Sequence, residues 1–147
     1  MISLHGPGPG HPTRRWLVQA PARLARLDAF HRAAGRHLKA WVAGNLASGG
    51  ALGQAPGGGW PPLRPATLAA RRRLGLGSRP LIASGALLRG TAFQAGPRGL
   101  ALFNPVAHAP AHQFGRGVPA RPFFPTPAQA AEQVWPLLQT HLEDGLR

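Results

Sequence analysis

The sequence predicts an α+β chain: a long N-terminal helix, one small antiparallel hairpin and a C-terminal helix, separated by long Gly/Pro-rich loops. Three observations lead there. Apolar positions at Leu24, Leu27, Phe30, Ala34, Leu38 and Trp41 recur at spacings of three and four, on a face that continues to Asn45. Two short, partly alternating runs flank Gly96-Pro97-Arg98-Gly99, and Thr126 opens a last segment with helix-capping chemistry. Gly and Pro make up 37 of the 147 residues, about a quarter, so regular elements must be few. The length suits one domain with a modest core, and no second independent domain is expected.

Taken in order, residues 1–5 can form a short edge strand, and the Gly-Pro run at 6–12 is a link. Pro21 is suited to a first helical turn, which places the long helix at about Ala22 to Ala47. The Gly-rich stretch 48–59 ends it as a flexible loop. Trp60 and Leu63 then serve as apolar anchors, Pro65 opens a short helix, and Gly75 or Gly77 closes it. Residues 80–90 read as a turn and a short helical segment. The runs 91–95 and 100–104 are the hairpin strands, and 106–115 gives another helical turn or two, stopped at Gly115. Thr126, Pro127 and Gln129 start the final helix, with Ala131, Val134, Leu138 and Leu142 as its apolar stripe, a bend expected at Pro136 and a stop at Gly145. The sequence contains no internal repeat.

Charge narrows the partners. Lys and Arg number 17 against four acids, a net +13 that attracts polyanions such as nucleic acid, an acidic protein surface or an anionic membrane. Three of the four acids, Glu132, Glu143 and Asp144, lie in the last sixteen positions, a polarity that suits head-to-tail contacts between copies. Arg23, Arg26, Arg32, Arg36 and Lys39 populate the outer faces of the long helix, where a solvated surface is the simpler reading. Arg71, Arg72 and Arg73 spread over about 300° of a helix circumference, so at most two face one partner. No stretch reaches the roughly 20 apolar residues that span a bilayer, and the first residues lack the continuous apolar core of a secretory signal. No membrane partner is therefore expected.

Catalytic readings find little material. There is no cysteine, which excludes disulfides, thiolate metal sites and thiol nucleophiles within the chain. His108 and His112 are spaced as a helical zinc pair would be, but no nearby acid supplies a base or third ligand, and Pro110 interrupts. Paired carboxylates fail because only Asp28 lies outside the last helix region. Ser84 lacks the preceding glycine of a nucleophile elbow and reads as a cap. The loop 48–59 has no Gly-Lys-Ser/Thr ending, which removes a phosphate-binding loop. No enzyme activity, cofactor or metal is expected.

Three stretches, in this order, resemble the phage virion morphogenesis family, the tail-completion or neck proteins of Mu-like and lambdoid tailed phages. They are WPPLRPATLAARRR from Trp60 to Arg73, RPLIASGALLRG from Arg79 to Gly90, and HAPAHQFGRGVPARPFF from His108 to Phe124. His108 stands where the family has Tyr, Ala83 where a polar residue is common, and Phe124 where Leu is usual. The resemblance implies a small sheet with the long helix packed on it. It also implies a homo-oligomeric ring, of six copies, at the neck of the virion, with the head connector or stopper and the tail tube or tail terminator as partners.

On that reading Trp60, Leu63, Arg79, His112, Gln113, Phe114, Gly115, Pro119, Arg121, Pro122, Phe123 and Phe124 are expected to serve assembly. The prolines at 119, 122 and 125 stiffen an extended arm, Phe123-Phe124 is its apolar anchor, and Arg121 is an ion-pair or carbonyl-binding clasp. Arg71, Arg72 and Arg73 are expected to face the lumen, its DNA or an adjoining ring. The competing expectation is a small basic protein that binds nucleic acid without sequence specificity.

Overall fold

The structure is a computed structural model that describes residues 21, 22, 24–53 and 59–144. The expected strand at 1–5, the link at 6–12, the middle of the 48–59 loop and the Gly145 stop lie outside these residues. Helix α1 spans Asp28–Ala47. A single turn precedes it, with Ala25 N–H donating to Pro21 O at 3.0 Å, and the chain leaves helical geometry before restarting at Asp28. The helix expected from about Ala22 is therefore shorter at its start, for two reasons. Asp28 supplies a carboxylate in the first turn, where it meets the positive end of the helix dipole and pairs with Arg32 at 2.8 Å. Among the described residues the apolar stripe is also little covered that early: the hairpin tip meets α1 at His31, whose Nδ1 donates to Gly96 O at 2.6 Å, and Leu24 is left exposed.

Strands β1, Ala92–Gly96, and β2, Gly99–Phe103, pair antiparallel with Gly96 opposite Gly99, so Pro97-Arg98 is the connecting loop. Helix α1 lies across both strands. Gly35 makes this approach possible, because a Cβ there would run into the Phe93 ring. The buried face of α1 comprises Ala34, Gly35, Leu38, Val42, Asn45 and Leu46, spaced as one side of a helix requires.

Between α1 and β1 come α2, Pro65–Arg73, with Pro65 at its first position, and α3, Ala86–Gly90. After the hairpin comes α4, Ala109–Phe114, ended by Gly115 in the left-handed region at φ 73°. Last is α5, Pro127–Glu143, with the complete capping box: Gln129 N–H donates to Thr126 Oγ1, and Thr126 N–H to Gln129 Oε1. The helix continues through Pro136. It packs against α1, and His37 reaches Gln133 from one helix to the other at 3.3 Å. The packed face of α5 differs from the expected stripe at one position: Ala131 is exposed, while Ala130, Val134, Leu137, Leu138 and His141 are half-buried.

A single cluster forms the core: Val42, Leu46, Trp60, Leu81, Leu87, Ala109 and Phe123, flanked by Trp41, Ile82, Leu102, Val106 and Phe124. The Asn104 side chain donates to Leu87 O at 2.7 Å and to Thr91 Oγ1 at 3.1 Å, closing the end of α3 against the loop after β2. The arrangement is α+β, as the sequence predicts, with one two-stranded sheet among the described residues and helices stacked on it.

Candidate functional site

The segments richest in chemistry, 60–62 and 112–124, are locked onto each other. Arg121 is nearly buried, and its Nε and Nη2 donate to Pro61 O at 3.2 and 3.0 Å, with Nη2 also reaching Pro62 O at 3.3 Å. In return Trp60 Nε1 donates to Pro122 O at 3.1 Å. Prolines suit this crossing because they hold the backbone extended and leave carbonyls without competing N–H groups. Arg121 is thus a carbonyl clasp; no carboxylate pairs with it among the described residues. Burial first, then Arg71, lowers its pKa from the ordinary guanidinium value, and the guanidinium stays charged.

Gln113 and Asn45 complete the lock from opposite sides. Gln113 Oε1 accepts from Phe123 N–H at 3.0 Å and Phe124 N–H at 3.1 Å. Asn45, fully buried in α1, donates from Nδ2 to Pro122 O and Phe123 O, both at 3.4 Å, and its Oδ1 accepts from Gly53 N–H at 2.9 Å. Gln129 adds a bond from Nε2 to Gly53 O at 3.1 Å, tying α5 to the loop after α1. Buried amides used this way satisfy backbone groups that no sheet or helix reaches.

Phe123 requires a correction. Its side chain is 0% exposed and belongs to the chain's own core. It is therefore no exposed anchor for another molecule. Its backbone is tethered at both ends, the N–H to Gln113 and the C=O to Asn45. Phe124 is half-buried, its ring 4.7 Å from that of Phe123. Within this segment the aromatic left outside is Phe114, 67% exposed at the end of α4, with the Arg116 guanidinium 5.5 Å above its ring. Gly115 turns the chain sharply there, and a Cβ at that position would press on Ala120.

Around Phe114 the surface is concave. Cavities of about 590, 300 and 140 Å³ meet at Gln113, Phe114 and Phe124. The largest also takes in Trp60, Pro122, Pro125 and the start of α5. Its walls are rings and prolines, with Gln113, Thr126 and Gln129 as polar elements already used within the fold. That chemistry suits an apolar side chain.

The remaining candidates separate. Arg71 donates from Nη1 to Gly77 O at 3.0 Å and Arg79 O at 2.8 Å, so it staples the turn after α2. Arg72 and Arg73 are exposed. Leu63 is half-buried, and Arg79 and Pro119 are exposed. The His108 and His112 rings meet edge to face at 5.7 Å. His112 Nδ1 is buried without a hydrogen-bond partner among the described residues. Burial, followed by the charges of His108, Arg121 and Arg71, holds its pKa below the ordinary 6.5. No group of three or more His, Cys, Asp or Glu that could hold a metal ion occurs among the described residues.

Sequence reasoning missed the bonds of Arg71 and Asn45. An Asn on the apolar face of a helix was the available signal for the second, since an amide there must find partners inside. Nothing local announces the first. No protein family, curated protein or solved structure matches the chain, so a functional reading rests on its own residues and on the motif resemblance.

Proposed function

We propose that the protein is a structural component of a phage virion, of the neck or tail-completion type, acting as a homo-oligomeric ring where tail and head join. The observation that carries this reading is the mutual lock of the motif segments. Trp60-Pro61-Pro62 and Arg121-Pro122-Phe123-Phe124, which resemble the family's separate motifs, bond to each other directly and build one rigid unit. Residues that answer each other in this way support the resemblance as an ordered set. The same unit holds up an exposed Phe beside an apolar concavity, the type of surface that marks protein–protein contact.

On this reading the work is assembly without covalent chemistry. Copies repeat around an axis through head-to-tail contacts that close on themselves, six in number if the resemblance holds. The head connector or stopper and the tail tube or tail terminator lie above and below. Exposed arginines such as Arg72 and Arg73 supply a field that DNA in the lumen or an acidic neighbouring ring would neutralise. The test is genetic and visual. Removing the chain from cells that produce the particle should leave filled heads and finished tails unjoined, restored by supplying it in trans. Normally joined particles in its absence would refute the reading.

A further inference from the structure

We infer that the concavity at Phe114 and Phe124 receives Trp135 from a second copy of this chain, with Glu132 of that copy pairing to Arg116. The inference rests on the ring reading above and names the contact that would build it.

Three observations carry it. Trp135 is 58% exposed on α5 and is the largest of the exposed apolar side chains among the described residues. The groove beside Phe114 is about 590 Å³, room for an indole, and its walls of rings and prolines are the partners an indole prefers. The third is charge. Glu132 stands one turn before Trp135 on the same exposed face, and Arg116 sits over Phe114 at the groove's edge. Neither has an ion-pair partner among the described residues. One approach of two copies would satisfy both the apolar and the charged pair.

The contact must be between molecules. At 100° per residue, Trp135 lies about 140° around α5 from Ala130, about 120° from Gln129 and about 80° from Pro127, the α5 residues that line the cavities, and at 1.5 Å per residue it is about 12 Å along the axis from Pro127. Trp135 lines none of the three cavities of its own groove. Knob and groove are therefore different patches of one molecule, and such a heterologous contact propagates from copy to copy until the rotation closes a ring. A buried Trp in a fitted pocket with a charged rim pair is also the usual anatomy of an interface hot spot.

Because the chain has no cysteine, introduced thiols report contacts without background. Trp135→Cys protein mixed with Phe114→Cys protein under mild oxidation should give a disulfide-linked heterodimer, with neither variant forming it alone. The double variant should give a ladder on a non-reducing gel ending at the ring number. Leu74→Cys, at another exposed apolar site, mixed with Phe114→Cys is the control for random collision. In parallel, Glu132→Arg and Arg116→Glu should each weaken association, their combination should restore it, and Trp135→Ala should lower it by about 30-fold or more. Cross-linking no better than the Leu74 control, or Phe114→Cys homodimers in place of the mixed species, would overturn the docking. If rings form regardless, the docking alone falls and the assembly reading stands. A mixed dimer with nothing larger would uphold the docking and remove the ring.

Discussion

Truncating Phe123 to alanine removes a benzyl group that is 0% exposed from the middle of a core with few large members. Burial of a side chain of this kind at about 25 cal/mol per Å² over roughly 150–200 Å² contributes about 4–5 kcal/mol. Measured Phe→Ala losses in cores fall in the same range of about 3–5 kcal/mol. The backbone at 123 is held by Gln113 and Asn45, so the site cannot collapse to fill the void and the upper part of that range applies. For a domain of this size, with total stability of about 5–15 kcal/mol, such a loss leaves little folded margin.

The assay is urea unfolding followed by the fluorescence of the four tryptophans, buried Trp60 among them. At a slope near 2 kcal/mol per M, a loss of about 4 kcal/mol lowers the midpoint by about 2 M. Phe124→Ala, half-buried, should cost about 1–2 kcal/mol, and Phe114→Ala, mostly exposed, should stay within about 0.5 kcal/mol. A Phe123→Ala loss under about 1 kcal/mol, or a Phe114→Ala loss exceeding it, would refute the division of the aromatics into core and surface.

Arg121→Met should destabilise by about 2–4 kcal/mol because the charged bonds to Pro61 O and Pro62 O vanish, and Arg121→Lys should recover less than half, since an ammonium cannot reproduce the fork; the same unfolding assay decides. Gly35→Ala should destabilise by at least about 1 kcal/mol even though alanine is the better helix former, because its Cβ meets the Phe93 ring; a stabilised variant would contradict the close helix–sheet approach. The pKa of His112 is lower in the folded chain than its ordinary 6.5, so the unfolded chain binds more protons just below that value. The stability this group contributes is therefore fully present above pH 6.5 and falls as the pH drops through the window beneath it. His112→Gln should flatten that part of the stability–pH curve, and an unchanged slope would count against a neutral, buried imidazole.

What the sequence disclosed follows from how local each cause is. The Thr126–Gln129 box, Pro65 at a helix start, Gly115 at a helix stop and the Gly96–Gly99 hairpin each depend on residues within a few positions, and each element is present. The start of α1 was legible only in part, because the stripe from Leu24 onward has the right period but needs a surface to cover it. That surface, the hairpin tip, comes some 65 residues later and reaches only as far back as His31. The site was legible as motifs and illegible as roles. Phe123 and Phe124 are adjacent and chemically alike, yet the first is fully buried in the core and the second only half-buried at the groove, a difference that depends on packing against segments elsewhere in the chain. Arg71 looks like part of a basic run until its carbonyl partners at 77 and 79 are seen. Arg121 is the case where chemistry alone narrowed the answer. An arginine flanked by prolines in a chain with four acids had carbonyls as its most abundant partners.

The most direct test of the account is to image the full chain by negative stain with native mass measurement, alone and mixed with tail tubes from particles that lack it. The chain should form annular particles of one uniform mass, free or seated on tube ends. A chain that stays monomeric in both settings and binds duplex DNA with a steep salt dependence would contradict it and establish the nucleic-acid reading instead.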